Sequence, residues 1–139
     1  MMSHTIVVVN DEPELLGLLQ VTLEGEGYHV LTMDHPEMVA GAIAGQQPCL
    51  FLIDVLLPGI SGITLAERLH AGADSATPKV AISASEVTRQ HAMRSGRFAG
   101  TLSKPFDLKS LLGCVTQHVT TCSRHVSEGR GAYAQATGS

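Results

Sequence analysis

Polar side chains able to do chemistry follow several short strand-like segments of this sequence. Asp54 directly ends the most apolar of them, Asp11 and Ser83 follow two other apolar runs, and Lys104 follows the weaker segment Thr101-Leu102-Ser103. Burying an unpaired carboxylate is costly, so an aspartate at the end of such a run is not there for packing. Carboxylates, a hydroxyl and an ammonium are also the groups from which acid–base, nucleophilic and metal sites are built. These four residues are therefore candidates for a functional site.

The apolar runs alternate with amphipathic segments along the chain. This alternation predicts βα units on a parallel sheet, and β-branched continuous runs indicate strands buried on both faces. We predict strands at residues 6–9, 28–32, 50–53, 80–82 and 101–103. Helices are predicted after the first strand, over 36–44, from Gly62, over 86–95 and from about Asp107. Five such units with right-handed crossovers form a doubly wound sheet.

The carboxyl ends of the strands are where such a sheet binds its ligands. The polar residues at these ends are Asn10, Asp11, Asp54, Ser83 and Lys104. A single carboxylate at a strand end often caps the next helix, and we expect Asp11 or Glu12 to cap the first one. The convergence of several polar groups on one rim instead favours a functional site.

Four segments together resemble the receiver domains of response regulators in two-component signalling. They are Val9-Asn10-Asp11-Glu12, Asp54-Val55-Leu56-Leu57-Pro58-Gly59-Ile60-Ser61-Gly62, Ile82-Ser83-Ala84 and Ser103-Lys104-Pro105-Phe106. The resemblance covers residues 5–119 and implies a flavodoxin-like (βα)5 sheet with strand order 2-1-3-4-5. It also implies a cis peptide bond between Lys104 and Pro105.

The resemblance implies a phosphorylation site. Asp54 would be the phosphoacceptor, attacking the phosphoryl group of a phosphohistidine on a partner. Lys104 and Ser83 would contact two phosphoryl oxygens. Mg²⁺ (or Mn²⁺) would be held by Asp11, Asp54 and the backbone carbonyl of Leu56, with Asn10 acting through a water molecule. Such a sparse set of oxygen ligands suits Mg²⁺.

Two positions depart from the family pattern. Asn10 stands where receivers usually carry a second acid, so we expect weaker Mg²⁺ binding than at a two-acid site. Thr101, three residues before Lys104, stands where receivers commonly carry Tyr or Phe that turns inward on phosphorylation. We expect a switch at Ser83 and Thr101 in which the aromatic readout cannot operate.

Length and composition limit the remaining possibilities. The 139 residues predict a receiver domain over 1–122 and a flexible C-terminal tail over 123–139. The net charge of −4 with scattered basic residues argues against nucleic acid binding, and no apolar run approaches a membrane span. Three widely spaced cysteines and the lack of a signal peptide pattern predict reduced thiols and a cytoplasmic location. Cys114, His118 and Cys122 share a helix face, where packing is favoured over metal binding.

The first functional hypothesis is a stand-alone phosphoacceptor receiver rather than a turnover enzyme, with autophosphatase activity left open. Its partners would be a sensor histidine kinase or histidine phosphotransfer protein and a downstream protein target that reads the fourth and fifth βα units. The alternative is a degenerate receiver that binds its partner without phosphorylation, as Asn10 and Thr101 allow. An aspartyl phosphatase is disfavoured because Leu56, two residues after Asp54, is not the acid that such enzymes need there.

Overall fold

Five parallel strands form the sheet in the computed structural model, which describes residues 4–72, 74 and 76–131, with side chains up to residue 119. The strands lie side by side in the order β2-β1-β3-β4-β5, so the predicted order is confirmed. All seven residues of β3 are buried, as expected for the central strand. The strands are β1 (Thr5–Val9), β2 (His29–Met33), β3 (Pro48–Asp54), β4 (Lys79–Ser83) and β5 (Gly100–Ser103).

Five α-helices connect or follow these strands. The single helix predicted over 36–44 is instead a 3₁₀ turn, Pro36–Met38, followed by one short α-helix. The last helix continues past residue 122, the predicted end of the domain, to residue 131, and residues 132–139 lie outside the described residues. The helices are α1 (Pro13–Gly25), α2 (Val39–Ala42), α3 (Gly62–His70), α4 (Glu86–Arg94) and α5 (Leu108–Gly131).

Each face of the sheet carries its own hydrophobic core. Successive strand residues point to opposite faces, so Val7 and Phe51 pack on one face while Ile6 and Leu50 pack on the other. Helices α2, α3 and α4 cover the first face, and α1 and α5 cover the second. Burial on both faces explains why the sequences of these strands are mostly continuous apolar runs. It also explains why the polar residues at their carboxyl ends are easily recognised in the sequence.

The cysteines differ from the prediction. Cys49, near the start of β3, is disulfide-bonded, so the expectation of three reduced thiols is wrong for this residue. Cys114 is a free cysteine. Distance along the sequence does not determine which cysteines approach each other in space, which is why the prediction from spacing failed. No helix within the described part of the chain is long and apolar enough to cross a membrane.

Gly62 allows the loop after β3 to close tightly against Asp54. Its N–H donates to the carbonyl of Val55 at 2.8 Å. A Cβ atom at this position would lie 2.3 Å from the backbone oxygen of Asp54 and 2.9 Å from the Cα of Val55. These neighbours are backbone atoms at a buried strand end, so they cannot yield as a flexible side chain would. The loop that carries Leu56 past Asp54 therefore requires glycine at position 62.

We expect Gly62→Ala to lower the free energy of unfolding by about 3 kcal/mol, because the added methyl group overpacks the end of β3. The matched control is Gly17→Ala in α1, where an added Cβ meets no atom within 4 Å. That control should raise the free energy of unfolding by up to about 1 kcal/mol through helix propensity. Urea unfolding of the three proteins measures both changes, and equal midpoints for Gly62→Ala and the parent would contradict the packing account.

Candidate functional site

Asp54 is the buried centre of a hydrogen-bonded cluster at the carboxyl edge of the sheet. Its side chain ends β3 and is only 3% exposed. The backbone N–H of Leu56 donates to Oδ1 at 3.0 Å, and the Asn10 amide donates to Oδ2 at 3.1 Å. The Lys104 ammonium donates to the same Oδ2 at 2.8 Å. The carboxylate thus has the positively charged partner that its burial requires.

Lys104 joins two carboxylates at this edge. Its Nζ lies 2.8 Å from Asp54 Oδ2 and 2.8 Å from Glu12 Oε2. Burial alone would lower the pKa of Lys104, but the bonds to Asp54 and Glu12 outweigh this effect and raise the pKa above its ordinary value. Lys104 therefore stays an ammonium throughout the neutral pH range, with its positive charge directed at Asp54.

Glu12 is the site residue that was not predicted from the sequence. It was expected, with Asp11, only as a helix cap, yet neither acid caps α1: Glu12 occupies the N-cap position of α1 without a side-chain capping bond. Its own N–H is bonded instead to the Asn10 side-chain oxygen at 2.8 Å, and its carboxylate extends to Lys104. The signal present in the sequence was that Glu12 directly follows Asp11 in the loop after the first strand.

Both the nitrogen and the oxygen of the Asn10 side-chain amide form hydrogen bonds inside the cluster. Its side chain is fully buried, its Nδ2 donates to Asp54 and its Oδ1 accepts the N–H of Glu12. A carboxylate at this position would lack the donor and would place a second negative charge against Asp54. The neutral amide thus permits the cluster to form around a single lysine. The predicted contact of Asn10 with a metal-bound water stays a prediction.

Three carboxylates at this edge could hold a metal ion. Oxygen atoms of Asp11, Glu12 and Asp54 all lie within 4.8 Å of one another. Carboxylate oxygens are the donors that Mg²⁺ and Mn²⁺ prefer, so the residues fit such an ion. No second group of three or more metal-binding side chains occurs among the described residues. The role of the Leu56 carbonyl as a ligand stays a prediction, although its N–H already contacts Asp54.

Neither Ser83 nor Thr101 is among the hydrogen-bond partners of the Asp54 side chain, which are Asn10, Leu56 and Lys104. Ser83 ends β4 at the same edge of the sheet and is buried, but its hydroxyl accepts the Ser85 N–H at 3.1 Å and donates to the Ser85 carbonyl at 3.3 Å. Thr101 lies in β5 opposite Ala81, two residues before the Ser83–Ser103 pair. The structure therefore brings Asn10, Asp11, Asp54 and Lys104 together. The predicted switch residues, Ser83 and Thr101, lie outside this hydrogen-bonded cluster.

A cavity of about 340 Å³ opens beside Lys104. The Lys104–Pro105 peptide bond on its wall is cis, as the resemblance implied. Most of the cavity surface is apolar, and the exposed Leu18 of α1 contributes to its rim. The cavity therefore gives access to Lys104 from this side. The residues that line it are Glu12, Leu15, Leu18, Ala84, Lys104, Pro105 and Phe106.

Comparison with known proteins assigns the chain to one family. The model of the response regulator receiver domain matches residues 6–116. The DNA-binding response regulator MtrA of Mycolicibacterium smegmatis is 32% identical over 117 residues, which are 82% of this chain and 50% of that protein. The phosphate regulon transcriptional regulatory protein PhoB of Pseudomonas aeruginosa is 39% identical over 69 residues, which are 50% of this chain and 30% of that protein.

A solved structure agrees with this assignment. A putative response regulator from Chloroflexus aurantiacus superposes with a TM-score of 0.80 at 26% identity, covering 86% of this chain and 99% of that one. The chain belongs to the response regulator receiver domains of two-component systems. It spans about half the length, or less, of the curated relatives named above.

Asn10→Asp tests the role of the neutral amide. Without divalent ions, we expect the variant to lose about 1–3 kcal/mol of unfolding free energy, because a donor to Asp54 becomes a like charge. Urea unfolding in the presence of a chelator measures this loss, with Gln117→Glu on the exposed face of α5 as the matched charge control.

The same variant tests the charge at the metal site. Calorimetric titration should show that Asn10→Asp binds Mg²⁺ about tenfold more tightly than the parent, since the added charge at roughly 5 Å is worth about 3 kcal/mol before screening. Equal Mg²⁺ affinities for the parent and the variant would contradict the account.

Proposed function

We propose that this receiver domain accepts a phosphoryl group on Asp54 and signals through altered binding to another protein. The observation that carries the proposal is the buried Asp54 carboxylate, which is held at 2.8 Å by an ammonium and lies beside two further acids. Structural ion pairs seldom bury a carboxylate among other carboxylates at the ligand-binding edge of a parallel sheet, because the repulsion is costly. A phosphoryl-transfer site needs this arrangement of nucleophile and charge.

The proposed reaction transfers the phosphoryl group from a phosphohistidine. A carboxylate oxygen of Asp54 attacks the phosphorus, the P–O bond forms and the P–N bond breaks. The bonding electron pair leaves with the imidazole nitrogen, which takes up a proton. The Lys104 ammonium donates a hydrogen bond to a phosphoryl oxygen as negative charge develops there. Its bond to Glu12 keeps the ammonium at the site. Ser83 exchanges the bond that it donates to the Ser85 carbonyl for one to another phosphoryl oxygen.

Asp11 and Asp54, together with the backbone carbonyl of Leu56, would hold a Mg²⁺ or Mn²⁺ ion at this site. The nearby Glu12 carboxylate adds a third negative charge to this donor set. When bound, the ion would neutralise charge on the phosphoryl oxygens. The carboxylates would bind and orient the ion, and the amide donor of Asn10 holds Asp54 in place.

We propose a sensor histidine kinase or a histidine phosphotransfer protein as the donor, acting in the cytoplasm. The cavity beside Lys104 supports this partner class, because its apolar wall from Leu15, Leu18 and Phe106 leads to the ammonium that faces Asp54. Ala84 adds only a methyl group to this wall and leaves room for an incoming imidazole. The downstream partner would be a protein, and we propose neither nucleic acid nor membrane as a direct target of this domain.

A degenerate receiver is the second candidate. Asn10 already occupies Asp54 Oδ2 with a neutral donor, and the Ser83 hydroxyl is bonded to Ser85. Such a domain would keep one conformation and would bind its partner without a phosphoryl group. The same experiment separates the two candidates, because only the first one gains a covalent phosphoryl group.

Intact-mass spectrometry after incubation with acetyl phosphate and Mg²⁺ tests the proposed function. We expect the parent to gain one phosphoryl group and Asp54→Asn to gain none, because the amide is not a nucleophile of this kind. Asp107→Asn is the matched control, since this exposed aspartate precedes α5 and its carboxylate accepts the N–H of Ser110. It should be phosphorylated like the parent. Failure of the parent with acetyl phosphate and with a panel of phosphorylated histidine kinases would favour the degenerate receiver.

A further inference from the structure

Arg89 in α4 connects the end of β4 to the surface of the protein. Its side chain is 19% exposed, and its Nη1 donates to the backbone carbonyl of Ser83 at 3.3 Å. Its Nη2 pairs with the carboxylate of Glu86, which is in the first turn of α4 and is 67% exposed. Gln90 donates to the other oxygen of the same carboxylate at 3.1 Å. One guanidinium thus bridges a buried strand end and an exposed cluster of side chains.

The Ser83 carbonyl is shared between Arg89 and the phosphorylation site. It also accepts the backbone N–H of Lys104 at 2.9 Å, and the Lys104 ammonium contacts Asp54 at 2.8 Å. A continuous series of contacts therefore runs from Asp54 through Lys104 and Ser83 to Arg89. The hydrogen bonds at the two ends of this series involve charged groups, the Lys104 ammonium with Asp54 and the Arg89 guanidinium with the Ser83 carbonyl, and such hydrogen bonds are stronger than neutral ones.

Thr101 cannot make an equivalent connection, because it is not an aromatic residue. It lies opposite Ala81 in the β4–β5 ladder, two residues before the Ser83–Ser103 pair. The Arg89 guanidinium, in contrast, approaches the end of β4 from α4. The side-chain contact to the Ser83 carbonyl thus comes from the helix.

We infer that Arg89 is a positioning residue that couples the state of Asp54 to α4, in place of an aromatic side chain on β5. The inference rests on the proposed function. A Ser83 hydroxyl that donates to a phosphoryl oxygen must give up the bond that it donates to the Ser85 carbonyl, so the loop from Ser83 to Ser85 shifts. The carbonyl held by Arg89 shifts with it, and the Arg89–Glu86 pair transmits the change to the first turn of α4. A partner would detect it at Glu86, Gln90 and the neighbouring Val87, which is 64% exposed.

Hydrogen–deuterium exchange of the full chain, with and without acetyl phosphate and Mg²⁺, tests this coupling. In the parent, we expect phosphorylation to change amide exchange in α4 by about fivefold, the effect of one altered hydrogen bond. Arg89→Met keeps the length of the side chain but removes its donors, so it should take up the phosphoryl group and lose this response. Arg94→Met is the matched control, because Arg94 is an exposed arginine of the same helix, and it should respond like the parent.

The readout is the difference between phosphorylated and unphosphorylated forms of each protein, which a purely structural role of Arg89 would not change. An undiminished α4 response in phosphorylated Arg89→Met would overturn the inference. A phosphorylated parent with unchanged exchange in α4 would do so as well. Absence of the phosphoryl group from the parent, measured by mass after incubation with acetyl phosphate and with the panel of phosphorylated histidine kinases, would instead contradict the proposed function and the inference with it.

Discussion

The ion pair between Asp54 and Lys104 is the interaction on which the rest of the site depends. A carboxylate at the end of a fully buried strand is tolerated only with a nearby positive charge and well-placed donors. Lys104 supplies the charge from the end of β5, two strands away from β3 in the sheet. The sheet must therefore hold β3, β4 and β5 in register for the pair to form. The backbone N–H of Lys104 also donates to the carbonyl of Ser83, so the predicted switch residue is connected to the residue that forms the ion pair.

Charge balance explains the residues around this pair. Asp11, Glu12 and Asp54 bring three carboxylates together, and the Lys104 ammonium contacts two of them. A fourth acid at Asn10 would increase the repulsion, whereas the amide adds a donor to Asp54 and an acceptor for the Glu12 N–H. The excess negative charge that remains is what a divalent cation would neutralise. The site is thus stable enough to fold, yet it keeps a net attraction for cations.

The sheet was predictable from the sequence because two-sided burial leaves a clear pattern. A short continuous apolar run such as the one before Asp54 is typical of a strand covered on both faces, and topology then brings the carboxyl ends of such strands together. The pattern does not show where a long side chain extends. Glu12 and Arg89 act through side chains that cross to another element, so neither was identified as a site residue. Short elements are decided by tertiary packing, which is why the helix predicted over 36–44 divides in two.

The central claim is that the phosphoryl group is carried by Asp54 and by no other residue. Borohydride reduction of the phosphorylated protein converts an aspartyl phosphate to homoserine, and peptide mapping then locates the modified position. The account predicts homoserine at position 54 alone, within the peptide that contains the end of β3. Homoserine at Asp11 or at another acidic residue, or a phosphoryl group that resists reduction because it is on a serine, would contradict it.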